Sequence, residues 1–317
     1  MKILITGGSG FIGTNLVEKF VKNGYDVLNI DFQKPRNMDF VKYWRNVDIT
    51  NFADFQLEVK SFNPNYIVHL AARTDLDGFN LNDYSANILG VRNLMEIIKD
   101  LKYLKKIIIT SSMLVCKVGF KPKDYFDYNP NTFYGESKVL TEKIVFDNPP
   151  KCDWIIIRPT SIWGPWFNIP YRTFFDMVLS NKYFHIGNTI CTKTYGYVGN
   201  SVYQINMLLT NETIDKSNKI FYIGDYQPIK ISEWANEIAQ KSDVKILKLP
   251  YLIIKLAAYF GDILNFFNIS FPMTSFRLKN MTTNNIVTLK NTAKICKGLP
   301  YTRSEGIDIT LKWIAKK

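Results

Sequence analysis

Cysteine is scarce in this 317-residue chain, and the four present, Cys116, Cys152, Cys191 and Cys296, stand far apart. They follow no metal-ligand spacing and are too few to staple a chain of this length, so neither a metal site nor a disulfide framework is expected. Long apolar runs are missing too: none reaches the roughly 18 uninterrupted residues of a membrane span. The N-terminus enters an apolar strand pattern at once, without a basic-then-apolar leader or a small-residue cleavage site, so the expected location is cytoplasmic. Repeats, low-complexity linkers and a clean domain boundary are also absent, which favours interleaved lobes over beads on a string. Acidic residues are the minority charge, leaving a net +12 and a pI near 9.3. Such an excess suits an anionic substrate, an anionic membrane face or nucleic acid. The lysines, however, are scattered among abundant Asn, Ile, Phe and Tyr. With no basic stripe interleaved with aromatics and no zinc-finger or recognition-helix pattern, nucleic acid is not an expected partner.

What is present begins at Thr6-Gly7-Gly8-Ser9-Gly10-Phe11-Ile12-Gly13, directly after the apolar run Ile3-Leu4-Ile5 and ahead of a stretch with helical spacing. Glycines at that spacing permit a tight turn, a close approach of phosphate to the main chain and a helix packed near its strand. The helix would then aim its open N–H groups and positive dipole end at a pyrophosphate. A second strand pattern, Asp26 to Ile30, ends in Asp31, eighteen positions after Gly13. An acid there can bind a ribose hydroxyl pair, which favours NAD over NADP as cofactor.

Strand-like segments at 2–6, 26–30, 44–47, 66–70, 105–111 and 153–158 alternate with amphipathic stretches such as 15–22, 52–61 and 84–98. This rhythm predicts an α/β fold, a doubly wound parallel sheet with helices on both faces. After Arg158-Pro159 it becomes less regular, with short strands near 194–198 and 219–223 and helices near 200–210, 231–241 and 305–315. The division expected is therefore 1–165, mainly nucleotide-binding, and 166–317, mainly a smaller α+β substrate lobe that returns in places to the main sheet. Within it, Leu249 to Phe271 carries only Lys255 and Asp262 as charges. It reads first as a helix packed inside the lobe, and second as a segment lying flat in a membrane interface.

Tyr134-Gly135-Glu136-Ser137-Lys138 places a phenol and an ammonium at i and i+4, on one face of a helix. Moving a tyrosine from its usual value near 10 toward 7 takes about 4 kcal/mol of preferential phenolate stabilisation, which a neighbouring cation and hydrogen bonds can provide. The strand 106–110 runs into Ser111-Ser112, where an open parallel sheet presents ligand-binding groups, so a serine hydroxyl there can hold a reacting oxygen.

With these elements in order, the chain resembles the extended short-chain dehydrogenase/reductases, the NAD-dependent epimerase/dehydratase group of nucleotide-sugar type, over nearly its whole length. The resemblance rests on the glycine turn, Asp31, Asp48-Ile49, His69-Leu70-Ala71-Ala72, Asn87-x-x-Gly90, Ser111-Ser112, Tyr134-x-x-x-Lys138, and Arg158-Pro159 followed by Trp163-Gly164-Pro165. It implies a Rossmann fold in which Gly7, Gly10 and Gly13 hold the pyrophosphate, with Phe11 and Ile12 entering the helix beneath it. Asp31 would bind the adenosine ribose, Asp48 and Ile49 the adenine, and Leu70, Ala71 and Ala72 the cofactor past the fourth strand. Asn87 would belong to the helix beside the active site and Pro159 would lie near the nicotinamide. Ser112 would orient the substrate oxygen, Tyr134 would transfer its proton, and Lys138 would grip the nicotinamide ribose and lower the tyrosine pKa. A homodimer through the helices of Asn87 and Tyr134 is also implied.

The departures from that pattern carry information. Met113 and Leu114 stand where dehydratases of this group place an Asp-Glu pair, and neither can move a proton, so dehydration is disfavoured. Val115-Cys116-Lys117 replaces a common Val-Tyr-Gly. Asn200 in Tyr197-Val198-Gly199-Asn200 replaces an acid, whose loss is expected to remove an anchor between the lobes. The diphosphate of a nucleotide sugar calls for a guanidinium; Arg277 is the first candidate and Arg172 the second. The leading expectation is an NAD-dependent epimerase or ketoreductase acting on a sugar hydroxyl, C4 by preference. The alternatives are a hydroxysteroid- or lipid-linked-substrate enzyme at a membrane surface, and a cofactor-sensing protein without chemistry.

Overall fold

A computed structural model describes residues 1–215, 217–267, 269 and 271–316. The first strand, β1 (Lys2–Thr6), is followed by α1 (Phe11–Lys22), β2 (Asp26–Asp31), β3 (Trp44–Asn46), α2 (Phe52–Phe62) and β4 (Tyr66–His69). Then come α3 (Ser85–Ile97), β5 (Lys106–Thr110), α4 (Phe133–Asp147), β6 (Asp153–Pro159) and β7 (Ser161–Trp163). Continuous apolar runs in β1, β4, β5 and β6 are the composition of strands covered on both faces, and Ile3, Leu4, Ile5, Ile67 and Ile108 are fully buried. Alternate residues feed two cores. Ile3 and Ile5 meet Leu16, Val17 and Phe20 of α1 on one face, while Leu4 meets Phe55 of α2 and Leu94 of α3 on the other.

The chain continues through α5 (Tyr171–Leu179), β8 (Phe184–Ile186), β9 (Thr192–Lys193), β10 (Tyr195–Tyr197), α6 (Val198–Thr210), β11 (Ile220–Ile223), β12 (Ile229–Lys230) and α7 (Ile231–Lys241). It ends with β13 (Leu247–Leu249), α8 (Tyr251–Phe266), α9 (Ser275–Thr282), α10 (Lys290–Ile295) and α11 (Arg303–Ala315). The main sheet is parallel throughout, in the order β11-β6-β5-β4-β1-β2-β3. Because β2 and β4 flank β1 and the chain winds away in both directions, a crevice opens beyond the C-terminal ends of β1 and β4. The six expected strands form where the sequence places them, and α1 begins at Phe11 rather than Asn15 because the glycine turn feeds straight into it.

A buried ion pair fixes α4 against the sheet. Arg158 of β6 donates from Nε and Nη2 to Glu142 Oε1 and Oε2 at 2.8 and 2.7 Å, and both side chains are almost wholly buried. The Tyr125 carbonyl and the Tyr222 hydroxyl accept its remaining N–H groups, and the Tyr128 hydroxyl donates to Glu142. With its lone pairs and protons thus satisfied, the pair tolerates burial. It also sets the position of Tyr134, eight residues earlier on the same helix.

Outside the main sheet, β7 pairs with β10, β8 with β13 and β9 with β12 around an aromatic core. There Phe174 stacks on Trp234 at 4.6 Å and Trp163 lies 5.3 Å from it. Two expectations are corrected here. Asn200 does not cost the lobes their anchor: its Nδ2 donates to Asp225 Oδ1 at 2.8 Å and to the Tyr301 carbonyl, its Oδ1 accepts from Tyr301 N, and Asp225 Oδ2 accepts from Tyr197 N. Asp225 supplies the carboxylate of this network, and an amide at position 200 is what can donate to it. The segment from Leu249 to Phe271, of which Asn268 and Ser270 lie outside the described residues, is not packed as an interior helix either. Of α8 only Ile254, Ala258 and Gly261 are buried, a spacing of four and three that seats one narrow face on α9 and β13.

Candidate active site

At Gly7 the backbone is in the left-handed region, φ +74°, and a Cβ there would lie 2.5 Å from the Ala71 amide nitrogen. At Gly13 it would lie 2.1 Å from the Gly7 carbonyl oxygen. The turn is therefore closed so tightly onto the strand β4 exit and onto the start of α1 that only hydrogen fits. Gly10 caps α1 without any side-chain hydrogen bond, so the first amides of the helix, from Phe11 to Gly13, face outward with their dipole. Phe11 and Ile12 are half-buried and pack toward the core beneath, with Phe11 6.2 Å from Phe167.

Asp31, at the end of β2, accepts from Ser9 N on one oxygen and from Gln33 N on the other. Burial raises its pKa, and those two backbone donors and the Arg36 charge oppose the rise. Asp48 is exposed and accepts from Thr50 N, while the Ile49 carbonyl accepts from Asn93 of α3 and its side chain fills the space above Gly90. Leu70, Ala71 and Ala72 line the crevice after β4 as half-buried coil. Asn87, expected at the cofactor or else as a tie between two elements, makes the second kind of contact. Its Oδ1 accepts from Arg73 N at 2.7 Å, and its Nδ2 donates to the Arg73 carbonyl and to Ser137 Oγ. Its amide is used up in tying α3 to α4 and to the loop after β4, which makes it a positioning residue rather than a cofactor ligand. Pro159 closes β6, half-buried and paired with Ile223.

Ser112, Tyr134 and Lys138 come together at the C-terminal end of β5. Thr132 caps α4 by accepting from Gly135 N at 3.0 Å, which starts the helix at the point where Tyr134 and Lys138 both face the sheet. Ser112 accepts from Leu114 N, and its hydroxyl lies beside the Tyr134 phenol. Burial pushes the Tyr134 pKa up to about 12, with the neighbouring Ser112 hydroxyl opposing it and nearby Tyr171 and Tyr84 adding slightly. The Tyr84 ring lies 6.1 Å away. Lys138, also buried, donates from Nζ to the Thr110 carbonyl at 2.9 Å, and burial brings its pKa down to about 8 against the pull of Glu142. Lys138 is thus held on the strand rather than on the phenol, and its expected lowering of the tyrosine pKa is absent from this arrangement because desolvation dominates both groups.

His69 carries a role that sequence reasoning left unassigned. Its Nδ1 shares a 2.7 Å hydrogen bond with Thr6 Oγ1, and burial together with the Lys138 charge brings its pKa down to about 3, so the ring is neutral. Its Nε2, with Thr110 Oγ1 and Ser111 Oγ, is buried and has no partner among the described residues. Unpaired polar atoms clustered at the ends of β4 and β5 are an unusual expense for a resting fold and mark where ligand polar groups dock. With the glycine turn at one end and these atoms at the other, the residues present fit a dinucleotide stretched across the crevice. Tyr171, half-buried close to Tyr134 and Ser161, was likewise missed, having only its aromatic character as a signal.

Neither arginine meets this cluster. Arg172 donates to Asp176 Oδ1 at 2.7 Å and its guanidinium lies 5.6 Å from the Trp313 ring centre, so it is engaged along α5. Arg277 is exposed at the start of α9 and donates to the Pro272 carbonyl. Among the described residues no group of histidine, cysteine and acidic side chains could hold a metal ion.

A family model described as "NAD dependent epimerase/dehydratase family" matches residues 3–224. Among curated proteins, the N-acetyl-alpha-D-glucosaminyl-diphospho-ditrans,octacis-undecaprenol 4-epimerase of Escherichia coli O157:H7 is 26% identical over 321 residues, covering 98% of this chain and 94% of that protein. The UDP-glucose 4-epimerase of Vibrio cholerae is 28% identical over 266 residues, with 78% of each chain covered. Among solved structures, the UDP-glucuronic acid 4-epimerase of Bacillus cereus in complex with UDP-glucuronic acid and NAD superposes with a TM-score of 0.75 at 20% identity, over all of this chain and 99% of that one, which bears on the fold alone.

Proposed function

The chain belongs to the NAD dependent epimerase/dehydratase family, and from that membership we propose that it is an NAD-dependent epimerase or ketoreductase acting at a ring hydroxyl, C4, of a nucleotide sugar. The single observation that carries this reading is the approach of the Ser112 hydroxyl to the Tyr134 phenol beside Lys138, at the C-terminal end of the sheet where His69, Thr110 and Ser111 have polar atoms without partners among the described residues. The position of the reaction, C4, is supported by the printed activities of the relatives.

When bound, NAD supplies the hydride acceptor and donor. The glycine turn of Gly7, Gly10 and Gly13 and the amides of α1 would hold its pyrophosphate, and Asp31 its adenosine ribose. Ser112 Oγ donates a hydrogen bond to the sugar oxygen and fixes it against the Tyr134 hydroxyl. Tyr134 takes the proton of the sugar hydroxyl as that carbon is oxidised, and returns it as the ketone is reduced. A phenol near 12 is protonated at neutral pH, so Tyr134 is ready as the acid of the reductive half. For the oxidative half, half-ionisation at pH 7 requires about 7 kcal/mol from charges and hydrogen bonds that arrive with the ligands. Lys138 is the cation nearest to hand and needs only to leave the Thr110 carbonyl. Met113 and Leu114 offer no proton donor or acceptor, which argues against water elimination. Arg277 is our candidate for the diphosphate, since an exposed guanidinium can exchange a carbonyl for phosphate oxygens; Arg172 is already held by Asp176. The same reading has the protein act in the cytoplasm, as a pair joined through α3 and α4.

Purified protein incubated with UDP- and dTDP-sugars, and in parallel with a polyprenyl-diphosphate sugar, should give isomer exchange visible by NMR, or a change in NADH absorbance if it is a reductase. Tyr134→Phe should lower turnover by roughly 100- to 10,000-fold and leave NAD affinity within severalfold. Equal activity in that variant would reject the assignment.

A further inference from the structure

One side of α8 is exposed and apolar along its whole length. Leu252, Leu256, Tyr259, Phe260, Ile263 and Phe266 are each between 52% and 83% exposed. At about 100° per residue these side chains fall on one side of the helix, directly opposite the buried Ile254, Ala258 and Gly261. The two charges of α8, Lys255 and Asp262, sit together on the flank between those faces, and the apolar side itself is uninterrupted. Phe267, Ile269 and Phe276 extend it past the end of the helix. No core, strand or helix among the described residues covers it. Contiguous apolar surface of this extent marks a docking site rather than ordinary exposure.

We propose that this face of α8 lies in the interface of an anionic lipid surface, with the helix axis parallel to the bilayer plane. No described helix is long and apolar enough to cross a membrane, and Pro250 and Pro272 bracket the segment, so the fitting geometry is shallow insertion of one side. Charge selects the occupant. Lys245, Lys248, Lys255 and Lys279 are exposed on α8, on α9 and on the chain leading into α8, against two exposed acids there, Asp243 and Asp262, within a chain of net charge +12. Two copies meeting through this face would bring like charges together, whereas anionic headgroups meet each lysine with an opposite charge. α9 packs on α8, and the residues after it return to the crevice: Asn285 Nδ2 reaches Met113 Sδ at 3.8 Å, next to Ser112, and its Oδ1 accepts from Gly119 N. α8 is thus joined to the crevice through α9 and the residues that follow it.

The test is cosedimentation of the full-length protein with vesicles of phosphatidylcholine alone and with phosphatidylglycerol added. The wild type should pellet with the anionic vesicles and be released partly by high salt. A Leu256→Ser, Phe260→Ser, Ile263→Ser variant, altered only at exposed positions, should keep its melting temperature and bind at least roughly tenfold more weakly, since three large apolar side chains no longer leave water. Tyr134→Phe should bind like the wild type, which separates this inference from the catalytic reading. Wild-type protein remaining in the supernatant with anionic vesicles would overturn the proposal, as would equal binding by the triple variant. So would an apolar face that, by size-exclusion chromatography, is consumed in a self-association which the triple variant abolishes.

Discussion

Replacing Lys138 by methionine should stabilise the protein at neutral pH while removing its activity. Methionine matches the length of the lysine stem and fills the same buried space without a charge. Burial lowers the Lys138 pKa to about 8 from an ordinary 10.5, so the folded chain releases this proton earlier than the unfolded chain does. Between about pH 8 and 10.5 the unfolded state binds more protons, and stability rises with pH across that window. Below it the full penalty is present, about 3 kcal/mol at pH 7, falling to about 1 kcal/mol at pH 10. The lost hydrogen bond to the Thr110 carbonyl takes back about 1 kcal/mol at either pH. The variant should therefore be more stable by about 2 kcal/mol at pH 7 and by nothing at pH 10. Denaturant melts of both proteins at the two pH values measure the difference directly, and other titrating groups cancel between them. A variant less stable than wild type at pH 7, or a gain that is the same at pH 10, would refute the assignment of the shift to desolvation. Turnover should fall in either case, because the cation beside Tyr134 is gone.

Asn200→Asp should destabilise by about 3 kcal/mol or more at pH 7, since it sets a second carboxylate against Asp225 and removes the donor to the Tyr301 carbonyl. Burial holds the Asp225 pKa up to about 6, so thermal melts should recover part of the loss below pH 6, where one carboxyl of the pair takes a proton; a loss independent of pH would count against the repulsion. Gly13→Ala drives a methyl against the Gly7 carbonyl and should abolish NAD binding by calorimetry, with wild-type affinity as the contrary result. Glu142→Gln strips the charge that pairs with buried Arg158 and should cost about 3–5 kcal/mol; a change under 1 kcal/mol in a denaturant melt would mean that Tyr125, Tyr128 and Tyr222 suffice to hold the guanidinium.

The main sheet was legible because its physics is local and repetitive. β1, β5 and β6 are buried on both faces, so each is a continuous apolar run, and the glycine turn is dictated by the close passage of Gly7 to Ala71. The small pairs β7–β10 and β8–β13 were less so, since strands of three residues carry no period and exist by virtue of partners distant in sequence. α8 was legible as a helix and misjudged in its surroundings. Apolar composition is the same whether a face meets a core or lies bare, and only the position of α9 and β13 reveals that the buried side is narrow. Asn200 misled for the opposite reason: what it lost as an acid is supplied by Asp225, twenty-five residues on, a compensation that no local pattern records.

For the site, residue types were legible and protonation states were not. Tyr134 and Lys138 at i and i+4 on one helix suggest an ammonium acting on a phenol, and spacing carries that far. Desolvation then moves both groups toward their neutral forms, the phenol up to about 12 and the ammonium down to about 8, and it does so because Arg158 and Glu142 draw α4 tightly onto the sheet. The same burial that makes the resting phenol a poor base makes each interaction with it stronger once ligands exclude the remaining water. A pair left exposed would ionise more readily and discriminate less between the resting state and the state in which a proton is in flight. The packing of α4 on β5 and β6 is thus part of the chemistry: it withholds the charge until bound ligands provide a reason for it.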